Sequence, residues 1–160
     1  LLRTRTASFL SALVSPSFDP TTFLTTHFTP STPRITEHGP PWAAASRLPF
    51  LGHTFAGLDG CLTYFLLLAA TLETRWGEGT FPAGEDGVVV DAGASADGDA
   101  EEGEGGPRGV VCVVGKAQFA SKRTGKAWAE SFIYRLSGFD DEGRVGHWEI
   151  WADPLSAWEA

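Results

Sequence analysis

The chain contains no Met, only two Cys and two Tyr, and no apolar run longer than Tyr64–Ala70. Such a run is far short of the roughly 20 apolar residues that a membrane-spanning helix needs. Cys61 lies in an apolar helical run and Cys112 in an apolar strand-like run, at a separation that matches no metal-ligand or redox motif. Both read as small hydrophobes, and a reducing, cytoplasmic setting is expected. A chain without Met is also expected to be preceded by further residues in its natural form.

Basic residues are missing from Glu85–Glu104, where Glu85, Asp86, Asp91, Asp97, Asp99, Glu101, Glu102 and Glu104 accumulate without a Lys or Arg. Setting these eight aside leaves 12 of the 20 acids against 12 bases, so the formal net charge of −8 belongs to one segment. No basic stripe remains for nucleic acid and no polybasic patch for a membrane surface, so neither is expected as a partner. The glycines of Gly103–Gly109 follow acids, which repel phosphate, and no His/Cys cluster has zinc-ligand spacing. No metal or cofactor is expected.

What is present is apolar and aromatic. In 160 residues, 42% are hydrophobic, with six Trp and eleven Phe. This suits a single domain over residues 1–160 with a real core, and rings in such number line either that core or a pocket.

Leu1–Val14 has the Arg-containing, acid-free composition of a targeting peptide. Its residues Phe9, Leu10, Leu13 and Val14 nevertheless share one helical face, which favours an ordinary first helix. Asp19-Pro20 caps a second short helix that runs to about Phe28. Ile35–His38 reads as a short strand ended by Gly39-Pro40-Pro41, and Trp42–Leu48 as a brief helix before the connector Pro49–Gly52. Asp59–Glu73 is the strongest helix, with Leu62, Phe65, Leu66, Ala69 and Leu72 expected to form its buried stripe. Thr74–Phe81 and Gly87–Asp91 are weak strand candidates. About 92–108 is acidic and Gly-rich, without large apolar residues, and is expected to be a mobile hairpin tip. Strands follow over Val110–Phe119, Lys126–Leu136 and Arg144–Asp153. Helices first and antiparallel strands last indicate an α+β domain.

Alternation assigns each strand two faces. On Lys126–Leu136 one face holds Trp128, Glu130, Phe132, Tyr134 and Leu136, with Glu130 the odd carboxylate in an aromatic row. On the last strand Val145, His147, Glu149, Trp151 and Asp153 share a face, opposite Gly146, Trp148, Ile150 and Ala152. Glu130 and His147 either face solvent or point into a closed cavity, while Glu149 fits the solvent side. Burial would raise a carboxyl pKa toward neutrality and suit it to proton transfer.

The stretch RLPFLGHTFAG at Arg47–Gly57, with Tyr64-Phe65 in the long helix, resembles fungal SnoaL-like proteins of the nuclear transport factor 2-like superfamily. So do TGKAW at Thr124–Trp128, FDDEG at Phe139–Gly143 and HWEIWADP at His147–Pro154, and the likeness extends over about Phe9 to Trp158. The resemblance implies a cone in which a curved antiparallel sheet wraps around a long helix, a deep pocket for a small apolar molecule, and a homodimer through the sheet's outer face. The superfamily includes ketosteroid isomerases, polyketide cyclases, limonene epoxide hydrolases, scytalone dehydratases and non-catalytic members, so residues rather than fold must decide function.

The last strand is similar to that of limonene epoxide hydrolases in ending on an aromatic, a spacer and an Asp, here Trp151 and Asp153. That family's Arg and second Asp would fall at Gly115 and Ala117, so its water-activating set is missing; Glu130 falls at a pocket-lining position. Ketosteroid isomerases carry their base at the end of the first strand before a Gly/Pro turn, the place of Glu37-His38-Gly39-Pro40. Either Glu37 or His38 is then the candidate base, with Glu130 or Asp153 as the acid. Residues 1–63 contain no Tyr for that family's phenol. Trp42, His53, Phe55, Tyr64, Trp128, Phe132, His147 and Trp151 are the candidate ligand contacts, with His53 on a pocket lid. His147 has an alternative role in a hydrogen bond across the sheet. The expectation is a cofactor-independent lyase, isomerase or cyclase acting by general acid–base chemistry on an apolar polyketide- or terpenoid-like substrate. The alternative is a non-catalytic hydrophobic-ligand binder or dimeric scaffold of the same fold.

Overall fold

The computed structural model describes residues 1–83, 87–95 and 108–160. Most of the acidic tip expected at about 92–108 lies outside these residues. Helix α1 (Leu2–Leu13) buries Phe9, Leu10 and Leu13, the face that its sequence predicts. Asp19 caps α2 (Pro20–His27) by accepting from Thr22 N–H at 2.7 Å, with Pro20 at the first turn. Strand β1 (Arg34–Glu37) and a short 3₁₀ helix (Pro41–Ala45) follow. Strand β2 (His53–Ala56) then runs directly into α3 (Gly57–Thr71). Strands β3 (Leu72–Arg75), β4 (Val89–Ser95), β5 (Arg108–Ser121), β6 (Ala127–Ser137) and β7 (His147–Trp151) complete the sheet, and helix α4 (Pro154–Glu159) follows β7.

Several elements depart from the sequence expectation; the strand expected over Thr74–Phe81 is confined to β3 at Leu72–Arg75, because the chain has already left α3 at Thr71. β2 is a four-residue edge strand whose residues are mostly exposed, so it carries no hydrophobic alternation to betray it. α4 is six residues long, too short for a periodic signal; its mark is the cap-and-proline pair Asp153-Pro154. In α3 the buried positions are Cys61, Tyr64 and Phe65, whereas Leu66 of the expected stripe is 61% exposed and Leu72 has already entered β3. The helix is apolar all round over Tyr64–Ala70, so periodicity cannot choose its inner face, and packing does.

The strand order is β2-β1-β7-β6-β5-β3, with β4 also paired to β5. Each pairing is antiparallel except β1 with β7, which is parallel and sets Arg34 beside His147 and Thr36 beside Glu149. This parallel pair brings the first strand against the last, and His38 N–H continues it by donating to Ile150 O at 2.8 Å. The helices and the inner faces of β5, β6 and β7 enclose one core that contains Phe9, Phe28, Phe65, Val111, Leu136 and Trp148. Among the described residues no helix is long and apolar enough to cross a membrane.

Gly115 sits in the middle of β5's inner row, where a Cβ would lie 2.2 Å from the Phe132 ring and 2.8 Å from that of Phe81. Phe81, arriving from the segment after β3, packs edge-on to Phe132 at 5.9 Å and against Tyr134 at 5.6 Å. The missing side chain makes room for this cluster. Gly115→Ala is therefore expected to destabilise the fold by roughly 1–3 kcal/mol through overpacking, measured as a lowered urea midpoint with an unchanged slope.

Candidate functional site

Between α3 and the inner face of the sheet lies a cavity of about 490 Å³, walled by rings and aliphatic side chains that include Phe50, Phe65, Phe119, Trp128, Phe132 and Trp148. This is the size and character of a small-molecule pocket. Few polar groups enter it, and each is placed by a local rule.

Glu37 is the last residue of β1. Alternation turns Ile35 and Glu37 inward and Thr36 outward, and Glu37 is only 8% exposed. Its Oε2 accepts a hydrogen bond from Tyr64 Oη at 2.8 Å, which ties β1 to the middle of α3. Burial pushes the Glu37 carboxyl up to about 7; the Tyr64 hydrogen bond pulls the other way and the Glu130 charge adds to the rise. Burial also drives the Tyr64 phenol well above its ordinary range, with the Glu37 charge adding to it. The pair therefore stays as a protonated phenol donating to a carboxyl that is half ionised near neutral pH.

Glu130 lies on the inward row of β6 and accepts from Trp128 Nε1 at 2.8 Å. Burial raises its carboxyl pKa, against the Trp128 hydrogen bond and together with repulsion from Asp153. Tyr134, four residues along the same row, is 6% exposed and also lines the cavity. Asp153 reaches the cavity wall from the loop after β7, yet its oxygens are occupied as the cap of α4. They accept from Leu155 N and Ser156 N at 3.1 Å each and from Ser156 Oγ at 2.6 Å. The Ser156 hydrogen bonds hold its carboxyl below the usual range.

The structure thus brings Glu37, Tyr64, Trp128, Glu130, Phe132 and Asp153 to one cavity. The other sequence candidates lie elsewhere. His38 is turned outward at the end of β1; its ring stacks on Trp151 at 4.1 Å and its Nε2 meets Glu149 Oε1 at 3.0 Å. Trp151 and His147 are on the outer face, because β7 presents Trp148 and Ile150 to the core. His147 Nε2 pairs with Thr36 Oγ1 at 2.8 Å, the cross-sheet bond that was the alternative for it. Glu149 is on the solvent side of the sheet but is itself buried. Burial opposes its charge, yet hydrogen bonds from Arg135 and His38 outweigh that and hold its carboxyl below the ordinary range. Trp42 is 63% exposed and packs edge-on against Trp158, while His53 lies exposed on the edge strand β2. Phe55 packs on Tyr64 from behind, at 5.6 Å, without reaching the cavity.

The reversed reading of β7 has a physical cause. Its more polar face is not lining but the outer surface, neutralised by partners from neighbouring strands that are remote in sequence. Tyr134, Trp148 and Ile150 are cavity residues that the sequence reading left out of the site. Their signal was the purely apolar row of β7 and the aromatic row of β6. Among the described residues, no three His, Cys, Asp or Glu side chains gather as a metal-ligand set.

Solved structures share this architecture. A protein from Burkholderia xenovorans LB400, described as nuclear transport factor 2-like, is 15% identical with a TM-score of 0.62, over 98% of this chain and 92% of that one. A candidate SnoaL-like polyketide cyclase from Jannaschia sp. CCS1 is 14% identical with a TM-score of 0.54, over 99% and 92% of the two chains. TerC, co-crystallised with polyporic acid, is 15% identical with a TM-score of 0.61, over 98% and 97%. No protein-family model and no curated protein matches the sequence. At these identities the likeness establishes the fold, which is the nuclear transport factor 2-like α+β fold.

The raised Glu37 pKa has a consequence for stability. Between its ordinary value of 4.5 and about 7 the folded protein binds a proton that the unfolded chain has released. Glu37 therefore makes the fold less stable as pH rises through that window, by about 3 kcal/mol in all. Glu37→Gln removes the titration. The stability of Glu37→Gln relative to wild type is expected to rise from pH 4 to pH 8, as read from urea unfolding at each pH; parallel profiles would show that folding leaves the Glu37 pKa at its ordinary value.

Proposed function

We propose that this chain, which carries the nuclear transport factor 2-like fold, is a small-molecule-cavity protein that performs cofactor-independent proton transfer. The step is an isomerase, lyase or cyclase reaction on an apolar polyketide- or terpenoid-like compound. The observation that carries the reading is Glu37. Among the described residues it is the most deeply buried carboxyl of an apolar cavity of about 490 Å³, anchored by Tyr64 and poised near neutrality. A base with that pKa takes a proton from a bound carbon acid and returns it without leaving its working range. Glu130, half-buried and nearer the charged wall that Asp153 supplies, is the second proton-handling group. Asp153 serves by its charge and by capping α4, because its oxygens are already engaged. His38 has no part in the chemistry of this cavity.

The test is turnover of apolar ketones and enols of these classes by wild type and Glu37→Gln. The variant is expected to bind them and to lose roughly 10²–10⁴-fold in rate. Unchanged turnover in the variant would remove the proton-transfer role. A wild type that binds such compounds and returns each of them intact would leave the fold as a ligand carrier.

We propose further that the chain pairs with a second copy through the outer face of the sheet. Val114, Ile133 and Trp151 lie side by side across β5, β6 and β7 and are 50%, 45% and 39% exposed, an apolar row on an open sheet face. Sedimentation is expected to give a dimer for wild type at micromolar concentration and a monomer for Ile133→Lys. A monomeric wild type would overturn this assignment.

A further inference from the structure

The cavity contains a buried phenol donor that nothing in the described residues uses. Tyr134 is 6% exposed, and its ring is held by Phe132 at 4.8 Å, Trp148 at 4.9 Å and Phe81 at 5.6 Å. It lines the cavity, and among the described residues its Oη makes no hydrogen bond. It differs from Trp148 Nε1, an unpartnered atom that is sealed away. Tyr134 Oη is not sealed in this way and opens onto the cavity, so a molecule there can reach it. It differs also from Tyr64, whose hydroxyl is already engaged by Glu37. A buried hydroxyl without a partner is unfavourable, and native folds keep few of them unless a ligand or water completes the bond.

The surroundings define what completes it. Burial, with the charges of Glu37 and Glu130, pushes the Tyr134 phenol well above its ordinary range, so the group is a donor throughout the physiological pH range. The same carboxyl groups, with Glu73 and Asp153, outnumber the cation on the wall, Lys122, whose Nζ already donates to Ala69 O, so the cavity disfavours an anionic acceptor. The rings of Phe119, Trp128, Phe132 and Trp148 make up much of the remaining wall, with aliphatic side chains between them, which favours a flat apolar body.

We propose that Tyr134 Oη is the ligand-orienting donor of this cavity, and that the ligand is a flat apolar compound carrying a neutral acceptor oxygen, such as a ketone. This inference rests on the cavity reading above and gives it a polarity. The acceptor oxygen bonds Tyr134 on β6, which sets the adjacent carbon facing Glu37 on β1.

Equilibrium dialysis of wild type, Tyr134→Phe and Tyr64→Phe with three probes tests it: 2-acetylnaphthalene, its shape analogue 2-isopropenylnaphthalene, and 2-naphthoate. Wild type is expected to bind the ketone roughly tenfold tighter than the alkene, the worth of one good hydrogen bond, and to bind the carboxylate more weakly than the ketone. Tyr134→Phe should lose the ketone's advantage while keeping the alkene's affinity, and Tyr64→Phe should keep the advantage. Without ligand, Tyr134→Phe should melt at or above the wild-type temperature, since no bond is lost. Equal affinities for ketone and alkene in wild type would overturn the inference and leave the cavity reading standing. So would an advantage that survives in Tyr134→Phe, or a variant that folds poorly. Failure of wild type to bind either neutral probe would overturn both.

Discussion

Glu37 is a carboxyl placed where the fold would otherwise accept only a hydrocarbon, and the hydrogen bond from Tyr64 is what lets it stay. That bond joins the end of β1 to the middle of α3. It therefore fixes the register between the sheet and the helix that closes the cavity. Because β1 alternates, turning Glu37 in turns Thr36 and the following His38 out. His38 then stacks on Trp151 and contacts Glu149, which secures the outer face of β7. The same placement raises the carboxyl pKa to about 7. One buried acid thus links the packing of the layers, the polarity of the cavity and the pH dependence of stability.

The cavity owes its form to rings on facing elements rather than to a void left by small residues. Phe119, Trp128, Phe132 and Trp148 come from three neighbouring strands, and α3 supplies the opposite wall. The absence of a side chain at Gly115 lets Phe81 and Phe132 meet at one end. At the other wall α4 contributes Pro154 and Ala157, held on the frame by the Asp153 cap. Several of its polar groups have distinct tasks. Tyr64 is committed to Glu37, Trp128 to Glu130 and Asp153 to α4, while Tyr134 remains open to the cavity.

The elements were largely legible in the sequence. The α1 face, the Asp19 cap, the meander of β5, β6 and β7 and their turns follow from periodicity and turn chemistry, which act over a few residues. The inward row of β6, with Glu130 among its aromatics, also followed from alternation. The short elements β2 and α4 escaped, because neither is long enough to carry a period.

What the sequence determined by itself is local: which residues share a face, where chains turn, and that one of Glu37 and His38 ends the first strand beside a Gly/Pro turn. It could not choose between the two faces of β7 or between Glu37 and His38. A period-two pattern is symmetric between in and out until a partner is present. The tertiary structure decided both, through the parallel β1–β7 pairing and the Tyr64 hydrogen bond, which join residues far apart in the chain. It also turned Asp153 from a strand residue into a helix cap, because pairing with β6 stops at Trp151 and frees the chain to start α4.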